Sequence, residues 1–148
     1  MFDRILIVCT GNICRSPIAE HLLREALQGS DIAVSSAGLG ALVDHPIDCT
    51  ALATLQHHGH RPPSHRARQL TAELAHEADL ILTMEQGQIQ SMIQRVPETR
   101  GKIFLLGKWQ SEQEIPDPYR QGPEAFEHSY GLIERAVASW AERLLARR

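Results

Sequence analysis

Four consecutive apolar residues, Ile5-Leu6-Ile7-Val8, run without alternation into Cys9, after which the chain turns polar and carries a glycine. An apolar run this short and this continuous predicts a strand covered on both faces, as in a parallel sheet between helical layers. Ser16-Pro17 then supplies a helix start, with Ser as the cap and Pro at the first helical position. Ile18, Ala19, Leu22, Leu23, Ala26 and Leu27 give that helix a broad apolar stripe.

The same alternation of strand and helix continues along the chain. Ile32 to Ser36 reads as a second strand, ended by Ala37-Gly38. A helix is expected from about Asp48 to His58, with Gly59 as its left-handed stop. A short helix between Leu70 and Ala78 has Thr71 as its cap. Leu80 to Met84 is a third buried strand, followed by a helix that ends at Val96-Pro97, and Ile103 to Leu106 is a fourth strand. Phe126, Tyr130, Ile133, Val137, Trp140 and Leu144 repeat at spacings of 4, 3, 4, 3 and 4, which defines a final helix. So short a seam favours docking on a sheet over a free coiled coil. The order of elements predicts a single open α/β domain over residues 1–148 with right-handed crossovers. Ligands of such folds sit beyond the carboxyl ends of the strands, and the first such end carries Cys9.

Composition excludes several partners. The net charge of −3 gives no reason to expect nucleic acid or an anionic membrane, and no apolar run approaches a membrane span. The start lacks the features of a secretory signal. Three cysteines, Cys9, Cys14 and Cys49, are too few and too odd for a disulfide framework, so a reducing cytoplasm is expected. Nothing in the sequence requires more than a monomer.

Cys9-Thr10-Gly11-Asn12-Ile13-Cys14-Arg15-Ser16 joins the first strand to the first helix. A Cys and an Arg with five residues between them would arise by chance in roughly a quarter of chains with this composition, so spacing alone says little. The context says more. Gly11-Asn12 permits unusual backbone angles between strand and helix. Successive amides of such a loop can converge on one anion, helped by the partial positive charge of the helix start. Arg15 can grip two phosphate oxygens with its planar fork. The same field favours the thiolate form of Cys9, and Ser16 is placed to hydrogen-bond that sulfur. A nucleophile inside a phosphate cradle implies attack on phosphorus.

Ile115-Pro116-Asp117-Pro118-Tyr119 lies in the long loop from Gly107 to Gly122, and long loops in compact domains are often functional. Expulsion of a phenolate is helped by a general acid, which Asp117 could supply before accepting a proton from water. The flanking prolines restrict the backbone around it. Tyr119 could wall the pocket and stack on an aromatic substrate, or anchor the loop.

These segments resemble the low-molecular-weight protein tyrosine phosphatases along nearly the whole chain. Cys9 to Pro17 matches the signature of that family, and Asp117-Pro118-Tyr119 matches its acid loop. Ser36-Ala37-Gly38, His65 to Gln69 and Asp79 to Glu85 are similar to further landmarks. The resemblance implies a flavodoxin-like, three-layer domain of the phosphotyrosine phosphatase I type, with a four-stranded parallel sheet flanked by helices. It implies Cys9 as nucleophile, Arg15 as phosphate clamp and Asp117 as general acid. Thr10, Gly11, Asn12, Ile13, Cys14, Ser16 and Tyr119 would contact substrate. Asn12, Ser16, Ser36 and His65 would support the loop, with no cofactor and no metal. Ser36 to Val43 and Glu114 to Arg120 resemble the bacterial Wzb-type branch, which implies a tyrosine autokinase of capsule or exopolysaccharide export as the phosphoprotein partner. Arg120 departs from animal members, which carry an aromatic there, and Leu42 lies where they present a large aromatic wall.

Three other readings compete. Arsenate reductases share the cradle but need relay cysteines downstream, and none follows Cys49. Protein-arginine phosphatases of the same family tend to carry Thr at the position of Ile13. A non-catalytic phosphate-binding module would have no use for Cys9 or Asp117. Cys14 is open to two readings, a reversible disulfide with Cys9 or simple packing under the loop. Cys49 reads as structural. His57, His58, His60 and His65 straddle a helix end without a carboxylate or thiol at ligand spacing, and read as solvated side chains.

Overall fold

The computed structural model describes residues 2–147. Four parallel strands, β1 (Arg4–Cys9), β2 (Ala33–Gly38), β3 (Leu80–Thr83) and β4 (Ile103–Leu105), lie in the order β2-β1-β3-β4. The helices are α1 (Arg15–Ala26), α2 (Cys49–His57), α3 (Ala72–Glu77), α4 (Gln86–Arg95) and α5 (Pro123–Ala146), with a 3₁₀ turn over Pro97–Lys102 before β4. The expected α/β architecture with a four-stranded parallel sheet is therefore present.

The burial of β1 from Ile5 to Cys9 follows from its place between two cores. Ile5 and Ile7 face a layer formed by α1, α2 and α5, together with Leu80, Leu82, Ile18, Leu23 and Leu55. Leu6 and Val8 face the opposite side, with Ile81, Leu70, Ala75, Met92 and Val96. Both sets are apolar because neither face meets water, so no alternation is visible in the sequence. All six periodic positions of the last helix are buried, and α5 packs chiefly along α1 and α2 rather than on the strands alone. The indole N–H of Trp140 donates to the Leu106 carbonyl across 2.8 Å, tying α5 to the end of β4.

Several element ends moved from their expected places. β2 continues through Ala37-Gly38, where Gly38 pairs with Cys9, because a close approach of backbones is needed there. A Cβ on Gly38 would lie 2.6 Å from the Thr10 carbonyl oxygen. Helix α1 begins at Arg15, one residue before the expected cap, and Ser16 lies inside its first turn. The Ser16 hydroxyl bonds the Cys9 sulfur instead of capping. The Asp48 carboxylate does cap α2, accepting from the amides of Thr50 and Ala51, and Thr71 caps α3 through Leu74. After α2, Gly59 takes φ +85° while its amide bonds Gln56 and that of His60 bonds Leu55, closing a Schellman turn.

Strand order fixes where a ligand can sit. From β1 the chain steps to β2 on one side, while β3 lies on the other. The carboxyl end of β1 is thus the switch point, where the connections diverge and leave a crevice.

Candidate active site

Cys9 ends β1 and the following five residues, Thr10 to Cys14, form a tight loop before α1. Its carbonyls are engaged from outside. Those of Cys9, Thr10 and Gly11 accept from the amides of Leu39, Gly40 and Leu42, and that of Ile13 from Asp48. His65 Nε2 bonds the Asn12 carbonyl at 2.6 Å, and the Ile18 amide bonds Cys14. In a trans peptide the N–H points opposite to the preceding C=O. Carbonyls drawn outward therefore turn the amides that follow them inward, toward a common centre. Such an arrangement of amides, set by its surroundings, is suited to an anion.

Asn12 is the keystone of the ring. It alone in the loop takes the left-handed conformation, at φ 61°, whereas Gly11 does not use its freedom. Its Nδ2 donates to Ser16 Oγ at 2.7 Å and to Ser36 Oγ at 2.9 Å, and its Oδ1 accepts from the Arg68 amide at 2.9 Å. The Ser36 hydroxyl passes its own hydrogen to Glu20. Cys9 Sγ lies 2.9 Å from Ser16 Oγ and accepts from the Asn12 amide at 3.3 Å. The sulfur thus lies against the loop that follows it.

A cleft of about 200 Å³ opens over this loop, lined by Cys9, Thr10, Gly11, Ile13, Cys14 and Arg15, and walled by Gly40, Leu42, Asp117 and Tyr119. Arg15 is 2% exposed. Its Nη1 donates to Glu85 Oε2 at 2.6 Å and to the Ile115 carbonyl at 2.8 Å, while Nη2 lies 3.7 Å from Asp117 Oδ2. The loop carrying Asp117 is anchored by more than its prolines. Ile115 is fully buried with its amide on the Met84 carbonyl, and Ser129 Oγ donates to the Pro116 carbonyl. Asp117 itself is exposed at the cleft edge, where its Oδ1 accepts from the Tyr119 amide. The Arg120 guanidinium lies 5.1 Å from the centre of the Tyr119 ring.

Burial, reinforced by the carboxylates of Asp48 and Asp117, pushes the Cys14 thiol far above its ordinary pKa. Cys14 therefore stays protonated and weakly nucleophilic. Cys49 is exposed at the first position of α2. Every expected site residue falls in or beside the loop. No sequence pattern gives a role to Glu85, Arg68, Glu20 or Gln88, which hold Arg15, Asn12, Ser36 and Thr10 respectively. Arg68 and Glu85 lie within the segments that resemble the family, but only the folded chain shows their partners.

The histidines also differ from expectation. His58 stacks on Tyr130 with ring centres 4.0 Å apart, and His60 places Nδ1 2.7 Å from Glu25 Oε1 and Nε2 3.0 Å from the Tyr130 hydroxyl. The carboxylate absent from the local sequence arrives from α1.

Fold and loop together define an α/β domain with a cysteine- and arginine-bearing anion cradle at the switch point of its sheet. The sequence matches the family described as low molecular weight phosphotyrosine protein phosphatase over residues 4–148, and the chain belongs to that family. It is 52% identical over 143 residues to the low molecular weight protein-tyrosine-phosphatase Etp of Escherichia coli K12, covering 97% of this chain and 95% of that one. The crystal structure of the tyrosine phosphatase Wzb from Escherichia coli K30 with sulphate superposes at a TM-score of 0.92 and 48% identity, covering 97% and 99% of the two chains. YwlE arginine phosphatase from Geobacillus stearothermophilus superposes at 0.91 with 32% identity, covering 99% of this chain and 95% of its own. The protein is an enzyme, a Wzb- and Etp-like low-molecular-weight protein tyrosine phosphatase.

Proposed function

We propose that the protein hydrolyses phosphotyrosine through a phosphocysteine intermediate on Cys9. The observation that carries this is the sulfur itself, which accepts from the Asn12 amide and lines an open cleft. The Cys9 thiolate attacks phosphorus as the bond from phosphorus to the phenolic oxygen breaks. The protonated carboxyl of Asp117 gives its proton to the departing oxygen, releasing tyrosine. Water then attacks the phosphocysteine, Asp117 takes the proton from that water, and the phosphorus–sulfur bond breaks to return the thiolate and inorganic phosphate. Arg15 and the amides of the loop from Thr10 to Ser16 hold the phosphoryl oxygens throughout. Ser16 donates to the sulfur as it leaves, and Asn12, Ser36 and His65 keep the ring in shape.

Ile13, Leu42 and Tyr119 give the cleft apolar walls that suit a flat phenyl ring. This favours phosphotyrosine over phosphoarginine, although an arginine phosphatase shares the fold. The partner is a tyrosine-phosphorylated protein in the cytoplasm, a tyrosine autokinase of capsule or exopolysaccharide export. The test is turnover of phosphotyrosine and phosphoarginine peptides, side by side and without added metal, by wild type and Cys9→Ser. Turnover of the tyrosine peptide by wild type alone supports the reading. Full turnover by Cys9→Ser sinks the covalent mechanism, and preference for phosphoarginine sinks the substrate assignment.

A further inference from the structure

We propose that His21, Glu25 and His60 form a site for one transition-metal dication, zinc by its donor chemistry, which fastens the segment after α2 onto α1. His21 and Glu25 stand one turn apart on α1, and His60 follows the Gly59 turn. His21 Nε2, Glu25 Oε1 and His60 Nδ1 all lie within 4.8 Å of one another. Each nitrogen is 2.7 Å from the same carboxylate oxygen, and the two rings meet nearly perpendicular at 5.3 Å.

Two features of this trio ask for a cation. His21 Nε2 is buried with no hydrogen bond of good geometry among the described residues, although Glu25 Oε1 lies 2.7 Å away. His21 as a whole is 9% exposed. The second feature is the tautomer of His60. The Tyr130 hydroxyl donates to Glu134 at 3.3 Å, so it accepts from His60 Nε2–H at 3.0 Å. That hydrogen bond leaves the Nδ1 lone pair facing a carboxylate oxygen, a repulsive contact unless a proton or a metal lies between them. A proton on His60 relieves one nitrogen only. A metal satisfies both nitrogens and the oxygen at once.

The surroundings fit that role. A hydrogen bond from the second ring nitrogen to an outer partner is the usual companion of a metal-ligating histidine, and it selects the free nitrogen. Two imidazoles and a carboxylate suit zinc and its first-row neighbours, whereas magnesium and calcium prefer all-oxygen sets. Tetrahedral zinc would space its ligands about 3.4 Å apart, so each nitrogen must withdraw by roughly 0.7 Å. The half-exposed Glu25 side chain leaves room for that adjustment. None of the three residues lines the catalytic cleft. The expected consequence is therefore mechanical. His60 begins the segment that carries His65, which holds the Asn12 carbonyl of the cradle.

The experiment measures zinc by equilibrium dialysis and by the shift in unfolding midpoint, using the full chain with Cys9→Ser so that the nucleophile takes no metal. One zinc per chain and a midpoint raised by several degrees are expected. Both signals should weaken at least tenfold in Glu25→Gln and in His60→Gln, whose partly exposed positions preserve the fold, as circular dichroism would verify. No binding at about 100 μM zinc would overturn the site. So would unchanged binding in both variants, or a stabilisation that follows pH and ignores zinc, which would assign the trio to a shared proton.

Discussion

Arg15 is buried in the first turn of α1, and Glu85 at the start of α4 holds one of its guanidinium nitrogens across 2.6 Å. The contact joins two elements that follow adjacent strands, β1 and β3, and leaves the Arg15 fork aimed by a carboxylate and a backbone carbonyl. Glu85→Ala removes the charged partner. It should cost about 1–2 kcal/mol in urea unfolding, a value reduced from that of a fully buried pair because Glu85 is partly exposed. Its kinetic signature is a raised KM for aryl phosphates, with Glu85→Gln retaining most of the wild-type value. A KM unchanged in both variants would show that Glu85 does not position the arginine.

Ser16 offers a sharper test of the second chemical step. Its hydroxyl lies 2.9 Å from the Cys9 sulfur, and a hydrogen bond to a charged group contributes about 1.5–3 kcal/mol. Ser16→Ala should therefore slow kcat by roughly tenfold to a hundredfold. Because the loss falls on sulfur as leaving group, phosphocysteine should accumulate and appear as a burst of phenol and as phosphoenzyme in mass spectra. A slow variant without that accumulation would place the loss in the first step.

The cradle's shape depends on Asn12 and Gly38 in different ways. Asn12→Ala keeps a left-handed residue but leaves Ser36 and the Arg68 amide short of a partner, at a cost of about 2–4 kcal/mol. Gly38→Ala would set a methyl group 2.6 Å from the Thr10 carbonyl oxygen, so the loop or β2 must shift. Phosphate affinity, measured as competitive inhibition, should fall in both variants. In Gly38→Ala it should fall further than thermal stability would suggest.

Legibility followed the range of the interactions. The strand-loop-helix unit from Arg4 to Ala26 could be read because its apolar run, its glycine and its helical stripe are all local in sequence. Cys9, Arg15 and Asp117 stand out by residue chemistry and by family resemblance, and the fold brings all three to one cleft. What stayed hidden was pairing across the chain. Glu85 meets Arg15 over 70 positions, and Glu25 meets His60 over 35. No periodicity records such contacts. Ser16 misled for a related reason, since a serine before a proline reads as a cap until the sulfur beside it is known.

Asp79 makes a prediction about stability and pH. Its carboxylate accepts from the amides of Arg4 and Asp3 at 2.8 Å each, fastening the start of β1 beside β3. Those donors, Arg4 foremost, lower its pKa below the ordinary 3.8. A carboxyl depressed in the folded state contributes stability that is present above the unfolded value and is lost as pH falls through the folded one. Asp79→Asn should thus cost about 1 kcal/mol at pH 7, small because the site is largely solvated. The gap to wild type should narrow as the pH drops below 3.8, in unfolding curves taken across that range. A gap constant with pH would mean that the charge contributes nothing.

Asp117 is the residue whose role depends most on the ester offered to it. It is exposed at the edge of the cleft, 3.7 Å from Arg15, on a loop pinned by Ile115 and by the bond from Ser129. A proton donor matters in proportion to the basicity of the oxygen it protonates. With a tyrosine-like phenol, whose pKa is about 10, Asp117→Asn should lower kcat/KM by roughly a hundredfold to ten-thousandfold. With a strongly acidic nitrophenol, which leaves unaided, the loss should shrink toward tenfold or less. A plot of log kcat/KM against leaving-group pKa should be shallow for wild type and steep for the variant. Parallel lines would show that Asp117 does not donate the proton, and the donor would then have to be sought among the other groups at the cleft.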